Sequence, residues 1–189
     1  MRVENNHEAP SLTKGGRTRL AIVQSAVLII ADKGIRGLSI SDVVERLSIK
    51  RSSFYTHFSN IDDLIDAVSR HVLDRIGALS TRTSPKDRSI VLSRIRMVLR
   101  LRHTDKNLAL ALTELYSNHP PTVKDVHRRL AADLKSDHAK RTANVSPSAE
   151  QYAITMVASG AIQYLKQSDL DSLPSDRDVI ALIDAFLFQ

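Results

Sequence analysis

Cysteine and tryptophan are absent from the 189-residue sequence, and aromatic residues make up only 4% of it. Without cysteine, the chain can form no disulfide bond, no thiolate zinc site and no cysteine nucleophile, which fits a reducing cytoplasm. Long apolar runs are also missing: none approaches the length of a membrane span, and residues 1–19 lack the apolar centre of a signal peptide. We therefore expect a cytoplasmic protein with no membrane segment.

Sequence signatures of catalysis are scarce as well. The pair Gly15 and Gly16 follows no strand pattern, so it forms no phosphate-binding loop, and no nucleophile elbow is present. The histidines are scattered and none is paired at metal-ligand spacing, so we expect no metal site, no cofactor and no enzyme. An all-helical enzyme working in a central cavity stays open only as an alternative that no residue cluster supports.

Apolar residues recur at helical spacing along most of the chain, and no alternating strand pattern competes with them. Capping residues mark the helix starts, and Pro85 and Pro147 stand at first helical positions. With 42% hydrophobic residues, the chain can bury a core. We predict an all-α fold of about nine helices, spanning residues 18–34, 41–47, 50–58, 60–79, 84–103, 106–118, 122–142, 148–167 and 175–188.

Two short helices joined by a tight turn are predicted between Ser39 and Leu64. Ser39 and Asp42 are placed as a capping box before the first of them. In the second, Phe54 and Phe58 lie four residues apart and face inward. The outward face is unusual for a solvated helix, because its groups can all donate to phosphate or base edges. It is formed by Arg51, Ser52, Tyr55 and Thr56.

This segment resembles the DNA-binding domain of TetR-family transcriptional regulators, in which a helix-turn-helix ends in a Tyr-x-His-Phe signature. Here the signature is Tyr55-Thr56-His57-Phe58, and the helix closed by Gly34 looks like the family's first helix. The resemblance covers residues 18–73. It implies a helix-turn-helix domain at residues 17–62 and a helical effector-binding and dimerisation domain at residues 63–189.

The resemblance also implies roles for the outward side chains. Arg51 is the leading base reader, because a guanidinium can make two hydrogen bonds to guanine, with Ser52 and Thr56 as secondary readers. Ser53 is a further DNA-contact candidate, with capping or support of the helix as its alternative. Phosphates are expected to be clamped by Ser41, Lys50, Tyr55 and His57. Packing at the helix junction stays open as the alternative for the last two.

Three residues depart from the family pattern. Ser48 stands in the turn where glycine is usual; serine takes a positive φ only at some cost, so we expect a turn that is either slightly strained or differently wound. Lys50 opens the second helix and cannot cap it, although it adds a cation beside DNA. Ile61 replaces a phosphate-binding lysine at the start of the next helix, where Asn60 can still act as the cap.

The formal net charge is +6, and the basic residues are concentrated outside the C-terminal part of the chain. Residues 1–60 hold nine Lys and Arg against five acids, whereas residues 142–189 hold two against six. Near the N-terminus, Lys14, Arg17 and Arg19 flank the glycine pair. We predict that residues 1–16 form a flexible basic arm and that this strip can reach a minor groove; a solvated tail is the equally weighted alternative.

The resemblance further implies a homodimer that pairs through its last two long helices, since two recognition helices must meet major grooves about 34 to 36 Å apart. It also implies a small-molecule effector site among the central helices. Candidate lining residues are Met97, Leu101, Leu112, Tyr116, Tyr152 and Met156, for which ordinary core packing is the favoured alternative. The series Arg94, Arg96, Arg100 and Arg102 raises an anionic effector, although a solvated basic face is favoured.

The sequence thus predicts a DNA-binding transcriptional regulator, most simply a homodimeric repressor that a small-molecule effector releases from a palindromic double-stranded operator. A DNA-associated interaction protein with weak or non-specific binding and no inducer stays open as the alternative. It is motivated by the departures at Ser48, Lys50 and Ile61. The operator, the effector and the choice between repression and activation do not follow from the sequence.

Overall fold

The computed structural model describes residues 13–80, 90–139 and 147–166, together with Arg177, Asp178, Ala181 and Ala185. These residues form eight α-helices and one 3₁₀ turn: α1 Lys14–Lys33, the turn Ile35–Gly37, α2 Ile40–Leu47, α3 Arg51–Tyr55, α4 Ile61–Ser80, α5 Ile90–Thr104, α6 Lys106–Asn118, α7 Pro120–Ala139 and α8 Pro147–Lys166. The predicted all-α fold is confirmed. Of the predicted last helix, the four described residues are helical, and the rest lies outside the described residues. The start predicted at Ser84 and Pro85 also lies outside them.

Helix α1 begins earlier than predicted, and this corrects the expectation of a flexible basic strip. The Thr13 side chain accepts a hydrogen bond of 3.1 Å from the Gly16 N–H, so it caps a helix that includes both glycines. A good cap thus outweighs the poor helix propensity of the glycine pair. At the other end Gly34 closes the helix with φ 74°, as predicted. The predicted inward residues are all buried: Ile22, Ala26, Ile29 and Ile30.

Helix α2 is capped as the sequence predicts. The Ser39 hydroxyl accepts a hydrogen bond of 3.1 Å from the Asp42 N–H and donates one to the Asp42 carboxylate. Asp42 also forms an ion pair of 2.7 Å with Lys33, the last residue of α1. One carboxylate therefore fixes the start of α2 against the end of α1.

Ser48 ends α2 in the left-handed conformation, with φ 52° and ψ 40°. It is the only non-glycine residue with a positive φ in the part of the chain that the structure describes. The Ser48 and Ile49 N–H groups donate to the Glu45 and Val44 carbonyls, each at 3.0 Å. The turn therefore closes with normal hydrogen bonds, and the strain is confined to one residue.

Replacement of Ser48 by glycine is expected to raise the free energy of unfolding by about 0.5 to 1 kcal/mol. The left-handed conformation costs an L-residue roughly 1 to 2 kcal/mol, part of which glycine returns as extra entropy of the unfolded chain. The melting temperature should rise by about 1 to 4 °C in thermal unfolding. Ser117→Gly, at an exposed position inside α6, is the matched control and should lower it. A lower melting temperature for Ser48→Gly would contradict the strain.

Helix α4 begins at Ile61, directly after the second short helix and its turn. Asn60 is its cap, as predicted: its side-chain oxygen accepts a hydrogen bond of 2.9 Å from the Asp63 N–H. Asp63 in turn accepts from the Ser59 N–H at 3.0 Å, which completes the cap. Because α4 packs against α1 and also against α5, α6 and α7, one helix joins the N-terminal helices to the helical body.

A chain of polar contacts fixes α4 against the start of α7. The buried hydroxyls of Ser69 and Thr122 lie 2.7 Å apart, and the Thr122 hydroxyl lies 2.9 Å from Nδ1 of His119. The second ring nitrogen of His119 lies 3.3 Å from Oδ1 of Asp66. Because unpaired buried hydroxyls cost stability, these partners favour a single alignment of the two helices.

Helix α6, like α4, joins the N-terminal helices to the helical body. Its bounds, Lys106 and Asn118, are those predicted from the sequence. Oε2 of Glu114 accepts a hydrogen bond of 3.4 Å from the Ile35 N–H and another of 3.1 Å from the Asn118 side chain. Buried residues form one continuous core from α1 through α8, so the N-terminal helices do not sit on a separate core.

Candidate nucleic-acid interface

The second short helix, α3, is shorter than predicted: it spans Arg51–Tyr55 rather than residues 50–58. Lys50 stands outside it at the N-cap and makes no capping bond, because its side chain carries no acceptor. At the other end the His57 and Phe58 N–H groups both donate to the Phe54 carbonyl, at 2.9 and 3.0 Å. This shared acceptor tightens the last turn, so regular α-helix ends at Tyr55.

Two phenylalanines hold α3 in place. Phe54 and Phe58 are 0% and 1% exposed, as the inward prediction requires, and their ring centroids lie 5.7 Å apart. The Arg19 guanidinium of α1 lies over the Phe58 ring, 4.7 Å from its centroid. A five-residue helix has too few internal hydrogen bonds to persist alone, so its orientation depends on these aromatic contacts.

The outward face of α3 is open to solvent. The four predicted outward side chains are exposed, and Tyr55 remains 49% exposed although it is a large aromatic residue. The Arg51 guanidinium carbon lies 6.0 Å from the centroid of the Tyr55 ring. The Thr56 hydroxyl donates to the Ser52 carbonyl at 3.1 Å, which leaves its oxygen free to accept and its methyl group free for contact.

The remaining predicted contact residues occupy two kinds of position. Ser41, in the first turn of α2, and Lys50, before α3, are exposed. Ser53 and His57 are half-buried, and a Cβ atom placed on Gly15 would lie 3.8 Å from Cε1 of His57. His57 therefore packs beside the start of α1, and the edge-to-face contact of the Tyr55 ring with Phe54, 5.5 Å between centroids, supports a packing role for Tyr55 too.

Sequence reasoning missed that the first turn of α1 adjoins this surface. Gly15 lies beside His57, and Arg19 lies over Phe58, so the basic residues at the start of α1 are held by the helix rather than by a flexible arm. The signal that could have revealed it is Thr13, a good N-cap residue placed before the glycine pair.

The ion pair between Lys33 of α1 and Asp42 of α2 shifts the pKa of both groups. The hydrogen bond from Lys33, followed by the one from Ser39, lowers the pKa of Asp42 below its usual value. The same hydrogen bond and the charge of Asp42 raise the pKa of Lys33. Both groups therefore stay ionised around neutral pH, and the contact between α1 and α2 is retained there.

The departures from the family pattern are visible in the geometry. Ile61 is half-buried and packs against the core, so its side chain stabilises the start of α4 and contributes no charge to the surface. Lys50, eleven positions earlier, is exposed and forms no ion pair within the part of the chain that the structure describes. Cationic groups on this surface are thus supplied by α3, the residues flanking it and the start of α1.

A small cavity of about 80 Å³ lies in the helical body, between α4, α5, α6, α7 and α8. Leu112 is the one predicted effector residue among its described lining. Leu101 is fully buried core, Met97 and Tyr116 pack against the core, and Met156 is 45% exposed. The Tyr152 side chain lies outside the described residues. The cavity is lined by Leu73, Ile76, Val98, Leu112, Val126, Arg129, Leu130, Val157, Ala158, Ala161 and Ile162.

The predicted arginine series does not line this cavity in the described part of the chain. Arg96 is half-buried and Arg100 is exposed, while the side chains of Arg94 and Arg102 lie outside the described residues. Among the described side chains, no three acids or histidines are grouped as metal ligands. No helix in the described ranges is both long and apolar enough to span a bilayer.

Comparison with known proteins gives a family match over the N-terminal helices. The profile of bacterial regulatory proteins of the tetR family matches residues 22–68, from the middle of α1 to the first part of α4. This range contains the helix-turn-helix and the aromatic anchors. The resemblance predicted from the signature at residues 55–58 is therefore confirmed.

Relatives and solved structures agree with that match. The chain is 30% identical over 106 residues to YxbF, an uncharacterised HTH-type transcriptional regulator of Bacillus subtilis strain 168; the match covers 55% of the chain but only 25% of YxbF. It is 24% identical over 132 residues to the HTH-type regulator BetI of Burkholderia mallei, which covers 65% of the chain and 68% of BetI. The fold is similar to that of AibR solved with isovaleryl coenzyme A and operator DNA, with a TM-score of 0.61, 14% identity and coverage of 88% and 96%.

Proposed function

We propose that this chain, whose N-terminal helices match the tetR family, is a homodimeric repressor that binds a palindromic operator. A small molecule that enters the cavity of the helical body releases the operator. The observation that carries the proposal is the exposed polar face of α3, which two buried phenylalanines hold in a fixed orientation. Such a regulator acts in the cytoplasm, where its DNA lies.

The reading of DNA is assigned to α3 and the residues that flank it. Arg51 is exposed at the first position of α3, and its guanidinium can contact guanine through two hydrogen bonds in a major groove. Ser52 and Thr56 lie on the same exposed face and are secondary readers. Phosphate contacts are assigned to Ser41, Lys50, Tyr55 and His57, with Ser53 as support.

Substitution of Arg51 by alanine is expected to weaken binding to the selected operator by about 1 to 3 kcal/mol, roughly 5- to 150-fold, and to change binding to random DNA little. The reason is that base contacts carry sequence information, whereas phosphate contacts do not. Fluorescence anisotropy with both duplexes at equal salt measures the two affinities.

Arg36→Ala is the matched control for that experiment. Arg36 is also exposed, but it follows Ile35, whose N–H group binds Glu114 of the helical body. It should therefore leave both affinities unchanged. Equal losses on operator and random DNA for Arg51→Ala would show that Arg51 contacts phosphate and does not read bases.

A second copy of the chain is proposed to pack on α8. This helix carries an exposed face of small and polar residues around Met156, one of two large hydrophobic residues exposed in the described part of the chain. At Gly160, one turn further along, an added Cβ would meet nothing within 4 Å. Small side chains let two helices approach closely, and an exposed apolar residue among them favours a protein contact.

Regulation is assigned to α4, because this helix lines the cavity and also packs in the core that holds α3. Leu73 and Ile76 of α4 line the cavity, while Leu64 and Val68 of the same helix lie in the core that holds Phe58. A ligand that shifts α4 therefore changes the placement of α3, provided that it binds the two arrangements with different affinity. AibR, which has a similar fold and was solved in complex with isovaleryl coenzyme A and operator DNA, supports both halves of this proposal.

A DNA-associated protein with weak, non-specific binding and no inducer is the second candidate. It is favoured by the uncapped start of α3 at Lys50 and by the apolar Ile61 at the start of α4. Selection of binding sites from random duplex DNA separates the two, because only a sequence-specific regulator enriches one sequence.

A further inference from the structure

The cavity of the helical body is apolar except at one point. Ten of the eleven described lining residues are aliphatic, and the exception is Arg129 of α7. The cavity surface is almost wholly apolar, so Arg129 contributes mainly its methylene groups to the wall; its guanidinium, with five donors, is the one charged group among the described lining residues. We infer that the effector is a small carboxylate with a short apolar tail, held by Arg129; the inference rests on the effector site of the proposed function.

The size of the cavity limits the tail. Its volume of about 80 Å³ is roughly half that of the 150 Å³ apolar cavity known to hold benzene. A tail of about three or four carbons fits such a space, whereas a fused ring system does not. The aliphatic lining favours an alkyl tail, since no aromatic side chain is available for stacking among the described lining residues.

Arg129 already has an anionic partner, and that partner belongs to α4. Its guanidinium nitrogen lies 2.7 Å from Oδ1 of Asp74. The two side chains are 34% and 67% exposed, so the pair is solvated and easily exchanged. A carboxylate bound in the cavity competes with Asp74 for the same guanidinium.

Through this competition the effector can change the position of α4, and with it the placement of α3. Asp74 stands on α4 between Leu73 and Ile76, which touch the same cavity. When the effector carboxylate binds Arg129, the ion pair between Asp74 of α4 and Arg129 of α7 is lost. The apolar side chains of α4 gain a contact with the ligand at the same time. The effector therefore binds one position of α4 better than the other, which is what a shift of the equilibrium requires.

Butanoate is the probe for a direct test on the full-length protein without DNA. At about 10 mM butanoate, and for a dissociation constant near 1 mM, the melting temperature should rise by about 2 to 5 °C. Equal concentrations of 1-butanol and butylamine, which match the tail but lack the negative charge, should give no comparable shift. Equal shifts with butanoate and 1-butanol would overturn the anionic class.

Two variants identify the residue that binds the carboxylate. Arg129→Met should abolish the butanoate shift, whereas Arg128→Met should preserve it, because Arg128 is exposed, pairs with Asp125 and does not line the cavity. Asp74→Asn removes the competing carboxylate and should tighten butanoate binding by about two- to five-fold in calorimetric titration. Retention of the shift in Arg129→Met would overturn the assignment.

Failure of this inference and failure of the proposed function give different results. If butanoate does not raise the melting temperature but a palindrome is still selected from random DNA, the assignment of a carboxylate effector is wrong and the proposal of a sequence-specific regulator is retained. If butanoate binds through Arg129 but no sequence is selected, the ligand site stands and the operator proposal is wrong. Release of a selected operator by butanoate, lost in Arg129→Met, supports both.

Discussion

Phe54→Ala should lower the free energy of unfolding by about 3 to 5 kcal/mol, the range for truncation of a buried phenylalanine. Phe54 is 0% exposed and contacts the rings of both Tyr55 and Phe58. Its removal leaves a cavity in the buried core beneath α3, which packs against α2, and the short helix cannot close it by a local shift. Urea or thermal unfolding followed by circular dichroism measures the loss.

The same substitution should abolish specific DNA binding at temperatures where the rest of the chain stays folded. The five residues of α3 depend on tertiary contacts for their helical state, so the outward face loses its fixed orientation. Tyr55→Ala is the matched control for stability alone, because this neighbouring aromatic residue is half exposed and its loss should change the free energy of unfolding much less. Since Tyr55 is itself assigned to a phosphate contact, Arg36→Ala is the control for operator affinity. A Phe54→Ala protein with wild-type stability and operator affinity would show that α3 is not held by this anchor.

Gly160→Arg should convert the proposed dimer to a monomer, with a dissociation constant raised at least about 100-fold. An arginine at the centre of a helix-helix interface adds bulk and leaves a charge without a partner, at a cost of about 3 kcal/mol or more. The protomer should remain folded, because a side chain at Gly160 meets nothing within 4 Å in the single chain. Sedimentation velocity over a concentration series measures the association.

The monomer should also bind the operator far more weakly, since each copy then contacts only one half-site. Ser136→Arg, at an exposed position of α7, is the matched control and should leave the dimer intact. A Gly160→Arg protein that stays dimeric at wild-type concentrations would place the interface elsewhere.

The sequence predicted those parts of the fold that depend on local signals. The bounds of α6 were predicted correctly, and Asp105 accounts for its start by accepting a hydrogen bond of 3.0 Å from the Leu108 N–H. The caps at Ser39 and Asn60 and the strained turn at Ser48 were also predicted, because short polar side chains and positive φ values leave a signature in adjacent residues.

Features that helical periodicity and residue propensity do not reveal were missed. The end of α3 at Tyr55 results from two N–H groups that share the Phe54 carbonyl, which helical periodicity does not reveal. The helical state of Gly15 was missed because glycine is a poor helix former, although Thr13 caps the helix and His57 lies beside it. The cavity lies where five helices fail to fill a space, so its aliphatic lining could not be separated from ordinary core residues.

Selection of binding sites from random duplex DNA, at about 150 mM salt, tests the central claim most directly, because weak phosphate contacts are screened under these conditions. A homodimer that reads bases through Arg51 should enrich one palindrome, with half-site centres about one helical turn, or a whole number of turns, apart. Recovery of no preferred sequence would contradict the account and leave a DNA-associated protein that binds without specificity.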